Sequence, residues 1–268
     1  MKTKEKYVLI TGGTSGIGLE LAKIFANNGH NLIIVARDKE ELAQSCALLK
    51  ASSSIKVISI TKDLFEEDAA MELYDLVKAQ GLEVEILVNN AGQGQYGLFI
   101  ENDLDRELDI IQLNICSVVV LTKLYLKEMV ERGSGRILNV TSIAGKIPGP
   151  WQAVYHGTKA FAHSFTEAIR EEVRDTGVTI TSLLPGATDT DFFNKADMLE
   201  AKNVVEGKLA DPAKVAEDGY KALMSGDDMI ISGFQNKVQI AMSNITPDSL
   251  VAKQVGRQQE PAGSESKK

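Results

Sequence analysis

Seven short runs of branched apolar residues, at 7–10, 32–35, 56–60, 86–88, 136–140, 179–184 and 229–231, punctuate the chain. Most are apolar on both faces, the pattern of strands covered on each side. Between them lie segments with helical periodicity, at 17–28, 39–51, 66–80, 103–132, 152–176 and 212–224. Strict strand–helix alternation predicts an α/β fold. It should be a doubly wound parallel sheet of about seven strands with helices on both faces, and ligands bind such sheets at the carboxyl ends of the strands. Neither an internal repeat nor an interdomain linker interrupts the series. Residues 1–251 are therefore expected to form a single domain, and the polar stretch 252–268, ending in PAGSESKK, a mobile tail.

The net charge of −8 comes with no cluster of Lys and Arg interleaved with aromatics. Binding to nucleic acid or to an anionic membrane surface is therefore disfavoured. Cys46 and Cys116 stand far apart and read as packed thiols in a reducing compartment. His30, His156 and His163 have no metal-ligand spacing, so no metal is expected. The segment 115–126 is interrupted by Lys123 and too short to span a bilayer, and MKTKEK runs straight into the first strand. The glycosylation-like triplets at Asn139 and Asn244 read as chance matches. A cytoplasmic location is expected.

Directly after the first run comes Thr11-Gly12-Gly13-Thr14-Ser15-Gly16-Ile17-Gly18, then a helix. Gly12 permits a tight turn, Gly16 lets backbone approach a pyrophosphate, and Gly18 lets helix and strand pack closely. Phosphates would rest on the positive end of that helix. The loop lacks the Gly-Lys-Ser/Thr ending of a phosphoryl-transfer loop. The second strand ends Ala36-Arg37-Asp38. An acid at the edge would bind a ribose 2′-hydroxyl, whereas Arg37 after Ala36 suits a 2′-phosphate, which favours NADP(H) over NAD(H). Asp38 either pairs with Arg37 or caps the helix starting at Lys39.

Further along, Tyr155 and Lys159 are four residues apart in YHGTK, with Ser142 upstream at the end of an apolar run. On a helix the phenol and ammonium share one face. A nearby cation should lower the phenol's pKa and make Tyr155 a general acid/base, while the Ser142 hydroxyl holds a carbonyl beside it. Such spacing recurs by chance, so its meaning depends on the surrounding motifs. His156 points about 100° away around the helix and is not expected to be catalytic.

Taken in order, TGGTSGIG at 11–18, Asp63, Asn89-Asn90-Ala91-Gly92, Asn114, Ser142, Tyr155-x-x-x-Lys159 and Pro185-Gly186 resemble the short-chain dehydrogenase/reductase family, with its Rossmann-type fold, across residues 5–235. The resemblance implies that Gly12, Thr14, Ser15, Gly16, Ile17 and Gly18 cradle a dinucleotide. Asp63 would meet the adenine, and Asn89, Ala91 and Gly92 would line the adenosine side. Pro185, Gly186, Thr188 and Thr190 would lie at the nicotinamide end. Lys159 would also bind the nicotinamide ribose, and Asn114 would hold a water linking Lys159 to solvent; otherwise Asn114 serves as a local backbone partner. Many NADP-preferring members carry a basic residue where this chain has Ser15. Within the family, the sequence is most similar to the DltE-like oxidoreductases.

Residues 93–100, 143–151 and 191–206 should surround the reacting carbon. They offer Tyr96, Phe99, Ile147, Pro148, Pro150, Trp151, Phe192, Phe193, Met198 and Leu199 with few cations, which suits an apolar ketone or aldehyde. The segment after Pro185 is expected to be a lid. The competing readings are a cofactor-binding regulator without turnover and a sugar epimerase or dehydratase. Helices 103–132 and 152–176 are expected to pair copies into a homodimer or homotetramer.

Overall fold

The computed structural model describes residues 5–263. Its strands are β1 (Lys6–Thr11), β2 (Asn31–Ala36), β3 (Val57–Thr61), β4 (Glu83–Asn89), β5 (Gly135–Val140), β6 (Val178–Leu184) and β7 (Met229–Ile231). They form one sheet of order β3-β2-β1-β4-β5-β6-β7, with every neighbouring pair parallel. The chain winds outward one way from β1 and then outward the other way from β4. A crevice opens where the direction reverses.

Alternation along each strand divides the core in two. Tyr7 and Leu9 of β1 face one side with Ile33 and Val35 of β2, against α3 (Ala69–Ala79) and α5 (Ser117–Glu131) through Leu73, Val77, Leu121 and Tyr125. Val8 and Ile10 face the other side with Leu32 and Ile34. They pack on α1 (Gly16–Asn27), α2 (Lys39–Ser52) and α9 (Pro212–Ser225) through Leu21, Phe25, Leu42, Val215 and Leu223. This two-sided burial is why the strands read as unbroken apolar runs. Asp38 caps α2, its carboxylate accepting from Glu40 N and Glu41 N at 2.8 Å each, a cap worth about 1 kcal/mol.

The helix expected over 103–132 is interrupted. It runs as α4 (Leu104–Ile111), a π turn (Gln112–Cys116) and then α5. A π turn inserts one residue and re-aims the side chains around it, which sets the direction of Asn114. Leu104–Glu131 is long and apolar enough to cross a membrane, yet Leu121, Tyr125 and Met129 on its apolar side are taken up by the sheet.

α6 (Ala153–Glu172) follows β5. The insertion after β6 carries two short helices, α7 (Phe192–Lys195) and α8 (Lys202–Val205). Beyond β7 the expected mobile tail 252–268 is corrected. After α10 (Phe234–Ser243), residues Asp248–Gln259 form α11, which buries Val251, Val255 and Gln259. Val251 and Val255 pack with Ile147 and Ile240, and this apolar stripe holds the helix down despite its polar exterior. Residues 260–262 then pair with the insertion: Lys202 N donates to Glu260 O at 3.0 Å and Ala262 N to Glu200 O at 2.7 Å. Positions 264–268 of the expected tail lie outside the described residues.

Candidate active site

A cleft of about 540 Å³ opens at the carboxyl ends of the central strands. Its first wall is the glycine loop. Gly12 (φ +65°) and Gly16 (φ +51°) have left-handed backbones that suit glycine. The loop is locked to the ends of its neighbours: Gly12 N donates to Val35 O at 2.8 Å, and the Asn90 amide donates to Thr11 O and Gly12 O at 2.9 Å each. A Cβ on Gly18 would lie 2.2 Å from Gly12 O, so helix and loop touch backbone to backbone. Ser15, at the N-cap of α1, makes no side-chain cap. The first N–H groups of α1 are thus left for whatever binds in the cleft, the donor set an anion requires. These residues fit a dinucleotide's phosphates. Thr14, Ser15 and Ile17 also line the cleft.

At the edge of β2, Asp38 is engaged as the α2 cap, so it does not neutralise Arg37. Arg37 makes no ion pair with the described residues and lies over Phe65, 5.4 Å from the ring centroid, with Arg106 also 5.1 Å from that ring. Lys62 lines the same end but is paired with Glu72 at 2.6 Å. Glu41, 3.2 Å from the Thr14 hydroxyl, places one carboxylate there. Asp63 lines the cleft and accepts from Phe65 N at 3.1 Å.

Of the motif ending β4, Ala91 and Gly92 line the cleft and Asn89 does not. Neighbouring strand residues face opposite sides. Asn89 therefore turns into the core, donating to Thr122 Oγ1 at 3.0 Å and Asn139 Oδ1 at 2.9 Å. The expectation that Asn89 lines the adenosine side is corrected. Asn90 is the residue at the glycine loop, a role that the same alternation makes legible.

Tyr155, Ser142 and Lys159 come together on the floor. Ser142, just past β5, accepts from Ala144 N at 3.0 Å. Lys159 Nζ donates to Val140 O at 3.0 Å and stands 5.8 Å from the centre of the Tyr155 ring. Burial pushes the Tyr155 phenol up to about 12, against a downward pull from the Ser142 hydroxyl. Burial also brings the Lys159 ammonium down to about 8. The low phenol pKa expected beside Lys159 is thus not found in this structure, where loss of water at the phenol is the dominant influence. Tyr155 holds its proton at neutral pH and is placed as a donor.

Asn114 lies behind this floor and does not line the cleft. Its Oδ1 accepts from Gln93 N at 3.0 Å, and its Nδ2 donates to Gln93 O at 2.8 Å and Thr158 Oγ1 at 2.9 Å. Asn114 thus braces the loop under Lys159 as a backbone partner. His156 is engaged structurally, with Nδ1 2.9 Å from Ile147 O.

Pro185, Gly186, Thr188 and Thr190 line the far end. Thr188 donates to Gly186 O at 2.9 Å. Thr190 roofs the glycine loop, since a Cβ on Gly16 would lie 2.7 Å from its methyl. Ile147, Phe192, Phe193 and Met198 line the chamber above Tyr155, with Phe192 centred 5.0 Å from that ring. Phe99 and Leu199 are instead exposed. Tyr96 stacks on Trp151 at 5.5 Å and donates to Gln259 O at 2.6 Å. Trp151 has a left-handed backbone (φ +70°), a conformation costing a bulky residue about 1–2 kcal/mol. Val255, Gln258 and Gln259 of α11, and Asn236 and Gln239 of α10, complete the lining. None of these was anticipated from the sequence; the apolar i, i+4 spacing of Val251 and Val255 was the available signal.

The family model for short chain dehydrogenases matches residues 6–200. The very-long-chain 3-oxoacyl-CoA reductase of Homo sapiens is 36% identical over 187 residues, which cover 67% of this chain and 58% of that protein. The match therefore spans little more than half of the human relative. The ketoacyl reductase HetN of a Nostoc species is 32% identical over 255 residues, covering 91% of this chain and 86% of that one. Among solved structures, a short-chain dehydrogenase from Sphingobium yanoikuyae in complex with NADPH superposes with a TM-score of 0.80 at 26% identity, covering 90% and 96% of the two chains.

Proposed function

The chain belongs to the short chain dehydrogenase family, and we propose that it is an NADP(H)-dependent oxidoreductase interconverting a ketone or aldehyde with an alcohol on a mainly apolar small molecule. The observation that carries this reading is the meeting of Tyr155, Ser142 and Lys159 on the floor of a cleft whose wall is the glycine loop. Bound nicotinamide supplies or accepts the hydride. Ser142 orients the substrate oxygen, and Tyr155 delivers a proton to it in reduction or removes it in oxidation. Lys159, held by Val140 O, lies one helical turn from the phenol and stabilises the phenolate left after proton transfer. Asn114 fixes the loop against which Lys159 is packed.

Arg37, free of an ion pair with the described residues, supports NADP(H), since its guanidinium is available to a 2′-phosphate. The apolar chamber supports a substrate with hydrocarbon around the carbonyl. The human and Nostoc relatives are named as reductases of 3-oxoacyl and ketoacyl compounds, which is consistent with that choice. A homodimer or homotetramer in the cytoplasm is the setting we propose.

Fluorescence titration with NADPH and NADH, followed by a panel of apolar ketones and aldehydes, tests this function. NADPH-dependent reduction that falls by about 10²–10⁴-fold in Tyr155→Phe, with cofactor affinity nearly unchanged, is expected. Activity retained in that variant overturns the mechanism. Tight NADPH binding with no turnover on any carbonyl points to a regulator instead.

A further inference from the structure

Two amides in the chamber carry hydrogen-bonding atoms that the described residues leave unsatisfied. Gln152 is 3% exposed and Gln259 6%. The Nε2 of Gln152 and the Oε1 of Gln259 are buried without a partner, and both side chains line the cleft. Such an atom costs about 1–3 kcal/mol unless something in the cleft meets it.

Their environments fix what each can offer. Ile147 O lies 2.9 Å from His156 Nδ1, and since a carbonyl only accepts, Nδ1 carries the proton. Burial lowers the His156 pKa, keeping the ring neutral, so Nε2 is an acceptor. Gln259 Nε2, 3.3 Å away, must donate to it. This leaves the buried Gln259 oxygen as an acceptor with no partner among the described residues. Gln152 precedes α6, one turn before His156, whose N donates to Gln152 O at 3.0 Å. A Cβ on Gly94 would lie 3.2 Å from Gln152 Nε2 and 3.3 Å from Tyr155 Cδ2. The unpaired donor and the phenol ring therefore flank the same glycine.

We propose that Gln152 and Gln259 form a substrate-recognition pair, selecting a carbonyl compound with a second polar function. Gln152 donates to an acceptor oxygen near the reacting carbonyl. Gln259 accepts from an N–H or O–H farther along the molecule. A secondary 3-oxo amide has both features, a 3-oxo ester has only the first, and a plain ketone has neither. The surrounding Ile147, Phe192, Met198 and Val255 accommodate the hydrocarbon. This inference rests on the carbonyl-reductase reading.

The test compares kcat/KM with NADPH for N-propyl 3-oxobutanamide, propyl 3-oxobutanoate and 2-octanone, which have equal chain lengths. A neighbouring acyl group activates a ketone by itself, so the deciding quantity is the change in ratio on substitution. Gln152→Met should reduce the ester-to-ketone ratio by about tenfold, and Gln259→Met the amide-to-ester ratio by about tenfold. A merely structural role lowers all three rates together, and unmoved ratios overturn the proposal.

Trp151, the only tryptophan in the chain and adjacent to Gln152, gives a second readout that needs no turnover. In the wild-type NADP⁺ complex, its fluorescence should report N-propylbutanamide binding about tenfold more tightly than N-methyl-N-propylbutanamide, which lacks the N–H. Equal affinities overturn the Gln259 assignment. If the affinity difference is found but no carbonyl is reduced, the recognition pair stands and the reductase reading falls.

Discussion

Lys159 and Gly92 pack so closely that a Cβ on Gly92 would lie 3.1 Å from the Lys159 amine and 3.3 Å from Asn114 Oδ1. The ammonium is thus held between the loop after β4 and the last carbonyl of β5, Val140 O. Three separate pieces of chain place one nitrogen, and the same enclosure strips water from it.

That enclosure sets the pH dependence. Below about pH 8 Lys159 is charged, and above it the amine is neutral, whereas Tyr155 keeps its proton up to about 12. Reduction should therefore decline above pH 8 through loss of the Lys159 charge, long before the phenol ionises. Lys159→Arg, whose charge persists at every accessible pH, should move the descending limb of the kcat/KM profile upward even if the overall rate falls. A limb that stays in place assigns the titration to another group.

Arg37→Ala should lower the NADPH-to-NADH ratio of kcat/KM by about tenfold or more, the worth of a charge-assisted contact to phosphate. Steady-state kinetics with both cofactors measures it. An unchanged ratio means that Arg37 only covers Phe65.

Gly18→Ala would force a methyl to 2.2 Å from Gly12 O and 2.3 Å from Asn90 Nδ2. A loss of about 2–3 kcal/mol in stability is expected, together with weaker dinucleotide binding. Gly157→Ala is the control: it lies within α6, and nothing comes within 4 Å of the added Cβ. That change should stabilise the protein by up to about 1 kcal/mol. Urea titrations separate the two effects.

His163 is buried on α6, 3.1 Å from Ser182 Oγ, and burial lowers its pKa to about 4, with Lys146 adding to the effect. Between that value and the unfolded value near 6.5, the unfolded chain binds more protons. Stability contributed by neutral His163 is therefore complete above about pH 6.5 and lost as pH falls toward 4. Lowering pH from 7 to 5 should cost wild type about 1–2 kcal/mol more than it costs His163→Asn, measured by denaturant titration at each pH.

The strands were legible because burial on both faces leaves them little but branched apolar residues. Residues of the glycine loop, the β2 edge and the YHGTK helix were found because each follows a strand end or keeps a helical spacing. Asn89 was misplaced by taking a four-residue motif as one unit, although adjacent strand residues point apart. The π turn was invisible, since neither propensity nor periodicity marks the residue at which a helix widens. α11 was hidden by its composition: Val251 and Val255 are its main apolar anchors in a polar helix. The unsatisfied amides of Gln152 and Gln259 depend on neighbours far away in sequence, so only the assembled chamber shows them.

The chamber above Tyr155 is closed by the insertion after β6 and by α11, and residues 260–262 that follow α11 are joined to the insertion by backbone hydrogen bonds between Glu200, Lys202, Glu260 and Ala262. The glycine loop and Lys159 instead rest on the sheet. Exchanging the two appendages together, as a matched module, would redirect which molecules are processed while leaving the chemical centre and its supporting strands in place. Grafting either piece alone would break their shared seam.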